Sequence, residues 1–142
     1  MPKKSDGRGR SGCPISIALD LFGDSWSLLI VRDLMFKGQN TFHAFLNAGE
    51  GIATNILADR LAKLEKAGIL SKYRDPMDAR CFIYRLTRKG IDLAPMMTEL
   101  ILWSAQNETT DAPHGTVTSM SANPRAFAKA IMKKLTAVEK NE

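Results

Sequence analysis

Residues 51–90 read Gly-Ile-Ala-Thr-Asn-Ile-Leu-Ala-Asp-Arg-Leu-Ala-Lys-Leu-Glu-Lys-Ala-Gly-Ile-Leu and then Ser-Lys-Tyr-Arg-Asp-Pro-Met-Asp-Ala-Arg-Cys-Phe-Ile-Tyr-Arg-Leu-Thr-Arg-Lys-Gly. The first half has helical period: Leu57, Leu61 and Leu64 recur at i, i+4 and i+7, with Ala53 and Gly68 on the same side. Asn55, Ala58, Asp59, Ala62 and Lys66 fall on the opposite face, open to a partner. Gly68 supplies the stop of an Ala53–Ala67 helix. Beyond it, Leu70–Arg74 and Arg80–Leu86 read as two strands around a tip, Asp75-Pro76-Met77-Asp78-Ala79. Phe82 and Tyr84 share one face of the return strand, Cys81, Ile83 and Arg85 the other.

Upstream, Thr41 is a suitable N-cap for a short helix carrying Phe42, Phe45 and Leu46, and Ala48-Gly49-Glu50-Gly51 is the tight turn after it. Two helices across a glycine turn, followed by a hairpin, predict a winged helix-turn-helix: mainly α with a small β-hairpin wing. Further out, Pro14 starts a helix that Gly23 ends, with Ile15, Ala18, Leu19 and Phe22 on one face. Asp24 or Ser25 caps the next helix, Trp26–Phe36, which is apolar nearly all round except at Arg32 and Asp33 and so belongs at the centre. Thr87 caps a long helix expected to run to about Asn107 with a kink at Pro95. The Ser/Thr/Pro/Gly-rich stretch 109–123 reads as a loop. A last helix, from Pro124 or Arg125 to about Glu139, carries Phe127, Ala130, Ile131 and Leu135. The organisation expected is a basic disordered arm over 1–12, the winged domain over 13–108, and a loop with a dimerisation helix over 109–142. The first and last helices, being markedly apolar, each call for a second surface, most simply another copy of the chain.

A chain of 142 residues is one domain by length, and 44% hydrophobic content excludes wholesale disorder. No apolar run approaches the ~18 residues of a membrane span, and Met-Pro-Lys-Lys-Ser is not followed by the apolar stretch of a secretory signal, so a cytoplasmic protein without a membrane partner is expected. Two cysteines without a short spacing do not make a disulfide framework. The net charge of +5 is concentrated. Lys72, Arg74, Arg80, Arg85, Arg88 and Lys89 face only Asp75 and Asp78 between residues 71 and 90, and Lys3, Lys4, Arg8 and Arg10 face only Asp6 in the arm. Positive charge on a hairpin and an arm is what phosphate binding requires, because each neutralised phosphate releases counterions.

With these elements in order, the sequence resembles the HxlR family of bacterial winged-helix transcriptional regulators, relatives of the MarR family. The resemblance rests on Cys13-Pro14, Ala18-Leu19-Asp20, Gly23-Asp24-Ser25-Trp26, Leu29-Ile30 and Arg32-Asp33-Leu34. It continues through Phe42, Gly51-Ile52, Leu57, Arg60-Leu61, Leu64-Glu65, Gly68-Ile69, Tyr84, Leu86-Thr87, Gly90 and Trp103. It implies a homodimer on a roughly palindromic operator, repressing or activating a neighbouring gene. Where that family often has Ser-Pro-Lys after Gly-Ile, this chain has Ala53-Thr54-Asn55, so the usual contact set does not carry over. The tip Asp75-Pro76-Met77-Asp78-Ala79-Arg80 is instead similar to MarR proteins, in which an Asp orients an Arg for the minor groove. The tail beyond about residue 108 has no counterpart in the resemblance.

The DNA-binding candidates follow. Asn55 can pair with adenine and the Thr54 methyl can meet thymine, although Thr54 could instead cap its helix. Ala58 and Asp59 share that face, Asp59 either accepting from cytosine or pairing with Lys63, while Arg60 nearer the core suits Glu65 or a backbone group. Arg80 is the minor-groove candidate, against a salt bridge to Asp78 alone; Lys72, Arg74 and Arg85 suit phosphates.

The resemblance also offers Cys13 as a thiol sensor of oxidants or electrophiles, against a spectator cysteine; a helix N-terminus favours negative charge. Cys81 reads as a small strand residue. Trp26 and Trp103 read as core and dimer-interface residues, and an apolar effector pocket between the long helix and the winged module is an open alternative. Neither His43 nor His114 sits in a metal-ligating or triad pattern, and no phosphate loop or carboxylate pair is present, so neither enzyme activity nor a cofactor is expected. Two other classes compete: a winged module that binds protein, and a nonspecific basic DNA-binding protein.

Overall fold

A computed structural model describes residues 11–140; the basic arm expected over 1–12 lies, up to residue 10, outside the described residues. The order is α1 (Pro14–Phe22), α2 (Ser27–Phe36), α3 (Phe42–Leu46), α4 (Thr54–Lys66), β1 (Leu70–Asp75), β2 (Asp78–Leu86), α5 (Arg88–Ile91), α6 (Ala94–Asn107), α7 (His114–Ala122) and α8 (Pro124–Lys140). The architecture is a winged helix-turn-helix: α3, a glycine turn and α4, followed by an antiparallel hairpin, around the central α2.

Local chemistry sets each boundary. Pro14 opens α1 and Gly23 closes it, its amide donating to the Leu19 carbonyl at 2.8 Å. Neither Asp24 nor Ser25 is the N-cap of α2, which begins at Ser27 after Trp26; the Asp24 carboxylate instead holds the entry to the helix, accepting from the amides of Trp26 and Ser27 at 2.7 and 2.8 Å. Thr41 caps α3 by accepting from the Ala44 amide at 3.1 Å. Gly68, at φ +78°, reverses the chain after α4, and the Ile69 amide returns to the Leu64 carbonyl at 2.9 Å.

The core gathers Ile30, Val31 and Leu34 of α2, Phe45 of α3, Leu57, Leu61 and Leu64 of α4, Ile69, Leu70, Tyr84 and Leu86 of the hairpin, and Ile91, Ala94 and Met97 after it. Leu57 and Leu64 are fully enclosed, and burying a leucine contributes about 1.5–3 kcal/mol. The leucine seam thus docks α4 as its spacing requires. Ala53, expected on the same side, is exposed because it stands as N-cap outside the helical turn.

Four features differ from the sequence expectations. The tip is a two-residue turn, Pro76-Met77, with the strands running on to Asp75 and Asp78; the register Leu70↔Leu86 to Arg74↔Phe82 slips after Arg74 to pair Asp75 with Asp78. Thr87 caps only one turn, α5, accepting from the Gly90 amide; Pro95 lies in the first turn of a new helix, where no amide is missed, and kinks nothing. Residues 114–122 form a helix where a loop was expected: Met120 is buried and Val117 half-buried, and burial of this i, i+3 pair overrides the weak helix propensity of Gly, Ser and Thr. On α8, Ala128 is the buried alanine and Ala130 is exposed.

The second surface that α8 needs is in its own chain: it packs along α6 and against α5, α7 and β2. On α1, Ile15 and Leu19 remain 71% and 53% exposed. No single helix among the described residues is long and apolar enough to cross a membrane.

Candidate nucleic-acid interface

The face of α4 turned away from the leucine seam is open. Thr54, Asn55, Ala58, Asp59 and Ala62 are all exposed, so the four candidates on this helix stand on one accessible surface. Thr54 does not cap the helix: Ala53 is the N-cap and supplies no side-chain bond. The first amides of α4 are therefore left for solvent or an incoming acceptor.

Several contacts fix α4 in place. At its middle, Arg60 Nε lies 3.2 Å from Asp24 Oδ1 in the α1–α2 corner, and its Nη1 binds Asp59 Oδ2. Arg60 is thus held by Asp24 and Asp59 rather than Glu65, and Asp59 pairs with Arg60 rather than Lys63. Burial pushes the Asp24 carboxyl upward, but hydrogen bonds from the Ser27 hydroxyl, the Trp26 and Ser27 amides and Arg60 outweigh it, bringing its pKa down to about 2. At the turn before α4, Arg32 Nη1 reaches Glu50 Oε2 at 2.6 Å, and its Nη2 lies 2.9 Å from the buried Asp33. At the C-terminal end, Lys89 Nζ donates to the Ala67 carbonyl at 2.7 Å and the Thr87 hydroxyl to the Gly68 carbonyl. The foot of the wing therefore caps α4.

The wing is anchored by Tyr84, whose amide donates to the Asn40 carbonyl at 2.9 Å and whose ring meets Phe45 with centroids 5.8 Å apart. At the tip, Asp75 Oδ1 accepts from the Met77 amide at 2.8 Å and Arg74 Nη1 donates to the Ala79 carbonyl. Asp78 holds Arg80 in a fork, Nε to Oδ1 at 3.0 Å and Nη2 to Oδ2 at 3.1 Å, and Oδ1 also accepts the Arg80 amide at 3.1 Å. These bonds lower the Asp78 pKa, the Arg80 side chain first among them. Arg80 is nevertheless 89% exposed, so the pair aims the guanidinium without covering it.

The other basic candidates divide between the two faces of the hairpin. Lys72 and Arg74 flank the Phe82 ring, at 4.5 and 4.7 Å from its centroid. Arg85 stands on the opposite face, half-buried, 5.6 Å from the centroid of Tyr73. Cys81 is exposed rather than packed; its thiol donates to Asp78 Oδ2 at 3.6 Å, and the carboxylate's charge raises its pKa. Cys13 is exposed as the N-cap of α1, its carbonyl accepting from the Ile17 amide at 2.9 Å. Among the described residues no group of three His, Cys, Asp or Glu side chains is arranged to hold a metal. The roles of Asp24, Glu50 and Lys89 in positioning α4 were not visible in the sequence, because each acts on a residue at least eighteen positions away.

An exposed helix face held by α2 at the turn before it and joined at its C-terminal end to a basic wing is the arrangement shared by helix-turn-helix regulators. The HxlR-like helix-turn-helix family matches residues 21–112. This chain belongs to that family. Among relatives, the HTH-type transcriptional regulator YodB of Bacillus subtilis is 32% identical over 99 residues, which are 69% of this chain and 88% of that one. The HTH-type transcriptional regulator sll1512 of Synechocystis is 36% identical over 85 residues, 60% of this chain, and the match spans only 62% of that relative. Of solved structures, PA1607 superposes with a TM-score of 0.65 at 35% identity over 73% of this chain and 71% of that one. The redox regulator HypR in its oxidised form gives 0.61 at 25% identity over 69% of this chain and all of that one (100%). The HxlR resemblance read from the motifs and the winged fold both hold.

Proposed function

We propose that this HxlR-family chain is a dimeric transcriptional regulator that binds an operator in double-stranded DNA. In this reading α4 lies in the major groove, with Asn55 and Thr54 at base edges and Ala58 and Asp59 beside them. The tip places Arg80 in the adjacent minor groove, and Lys72, Arg74 and Arg85 engage phosphates. The observation that carries it is the open polar face of α4 standing beside an arginine that Asp78 orients and leaves exposed. Exposed Ile15 and Leu19 on α1 and Trp103 on α6 supply the surface for a second copy. Two-fold symmetry then puts the half-sites about one helical turn, ~34–36 Å, apart. Such a regulator acts in the cytoplasm, on its own promoter region or a neighbour's, by binding rather than by catalysis.

The test is a salt titration with that promoter. A specific regulator gives a log–log slope of about −0.9 per phosphate contacted and is displaced far better by operator than by random DNA. Equal competition by random DNA identifies a nonspecific basic protein, and weak binding to both identifies a module that recognises protein.

A thiol response at Cys13 is a second element of the proposal. Its support is the exposed cysteine at the head of α1, the helix proposed to meet a second copy, together with the likeness to the redox regulator HypR and to YodB, whose structure is known in a reduced form. An oxidant or electrophile that modifies Cys13 would alter the spacing of the two recognition helices. Cys13→Ser should abolish the loss of operator binding caused by diamide; an unchanged response refutes the role.

A further inference from the structure

We propose that the cleft between α2, α6, α7 and α8 is a binding site for a small amphipathic carboxylate, an apolar tail of about ten carbons or two fused rings bearing one anionic head. The cleft encloses about 760 Å³, within the usual size range of small-molecule sites. Its wall is apolar and mixes branched aliphatic side chains with methionine and phenylalanine: Leu28 and Met35 from α2, Met97 from α6, Val117 and Met120 from α7, Phe127 from α8. Methionine walls adapt to the shape of a guest, and an apolar tail there releases water that finds few hydrogen-bond partners. The rim is cationic. Lys37 and Lys134 both border the cleft, against the single carboxylate of Asp111, while Arg32 is already engaged by Asp33 and Glu50. A lone carboxylate head is the complement of that rim, and a cation is not.

Two further observations separate this site from a surface for a second copy. Ile15, Leu19 and Trp103, the surface proposed for a second copy, do not border the cleft, whereas the exposed Leu100 does. Val117, Met120, Phe127, Ile131 and Lys134 all come from beyond residue 112, where the family match ends. The cleft is therefore completed by this chain's own C-terminal pair of helices. Helix α2 forms one wall and also carries Arg32, which grips Glu50 in the turn before α4. The ligand would serve as an effector of DNA binding, and that role rests on the regulatory reading above; binding itself does not.

The experiment is calorimetric titration of the DNA-free full chain with decanoate, 2-naphthoate and decan-1-ol. Saturable binding of either acid, about tenfold or more tighter than the alcohol, is the expected result. Val117→Trp, which fills the cleft, should weaken acid binding at least about tenfold with the sedimentation coefficient unchanged. The double substitution Lys37→Gln with Lys134→Gln is at exposed positions and should erase the preference of acid over alcohol. No saturation by either acid up to about 1 mM overturns the proposal, as does equal affinity for acid and alcohol in the native chain. Dissociation of a dimer by Val117→Trp also overturns it and assigns the cleft to a second copy. Acid binding in a preparation indifferent to operator sequence would leave this site standing and sink the regulatory reading; operator binding without acid binding does the reverse.

Discussion

Arg60 on the recognition helix and Asp24 at the α1–α2 corner lie 3.2 Å apart, and the same Asp24 oxygen accepts the first two amides that lead into α2. One carboxylate thus fixes the start of the central helix and the angle of the helix offered to DNA. The Asp24 pKa of about 2 lies below the ordinary carboxylate value of 3.8, so its contribution to stability is present above about pH 4 and is lost as pH falls through about 2. Asp24→Asn should cost about 1–2 kcal/mol at pH 7, the full shift being discounted for partial exposure. Urea denaturation at pH 7 and near pH 3 checks this: the gap between native and variant must narrow in acid.

Arg80 and Asp78 test aim separately from stability. Arg80 is exposed and Asp78 half-buried, and surface pairs contribute little to folding. Arg80→Ala should leave the thermal midpoint unchanged, weaken operator binding about tenfold and reduce the salt slope by about 0.9. Asp78→Ala keeps the Arg80 charge but releases its guanidinium, so it should lower affinity at A·T-rich flanks while the number of phosphates contacted, and with it the salt slope, stays. A lost thermal midpoint in either variant contradicts the assignment.

Asn55 is the base-reading candidate with no core contact. Asn55→Ala should cost about 1–3 kcal/mol on the cognate site and relax the preference at one base position per half-site. Selection of binding sites from a random pool, native against variant, reads this directly; the same loss on every sequence would make Asn55 a backbone contact.

Gly90 sits where α5 presses on the beginning of β1. A Cβ at this position would overlap the Ile69 carbonyl and stand 2.9 Å from Leu86 Cδ2. Gly90→Ala should therefore destabilise the fold by about 1–3 kcal/mol or more, measured by chemical denaturation. Because Thr87 and Lys89 beside it cap α4, operator affinity should fall as well.

The parts that sequence made legible are those with a local cause. Leu57, Leu61 and Leu64 announce a helix docked by one stripe, Thr41 and Gly68 mark ends through their own backbone bonds, and the alternation around Tyr84 marks the wing. What escaped was settled at a distance. Residues 114–122 have the composition of a loop, and the burial of Met120 with half-buried Val117 makes them helical. Pro95 has the same appearance inside a helix or at its start, and the break at Asp92-Leu93 decides between the two. In the candidate site, the exposed residues of α4 followed from periodicity, and the Asp78–Arg80 pair from their proximity in the chain. The Asp24–Arg60 and Arg32–Glu50 links did not, because each joins different elements across the fold.

Because α8 seals the interior of its own subunit, the chain closes its hydrophobic centre without waiting for a twin. Refolding of the single chain should then be first-order, with a half-time constant on dilution, and the proposed pairing of two copies a separate, second-order step. A half-time that lengthens on dilution would instead make folding depend on a second copy.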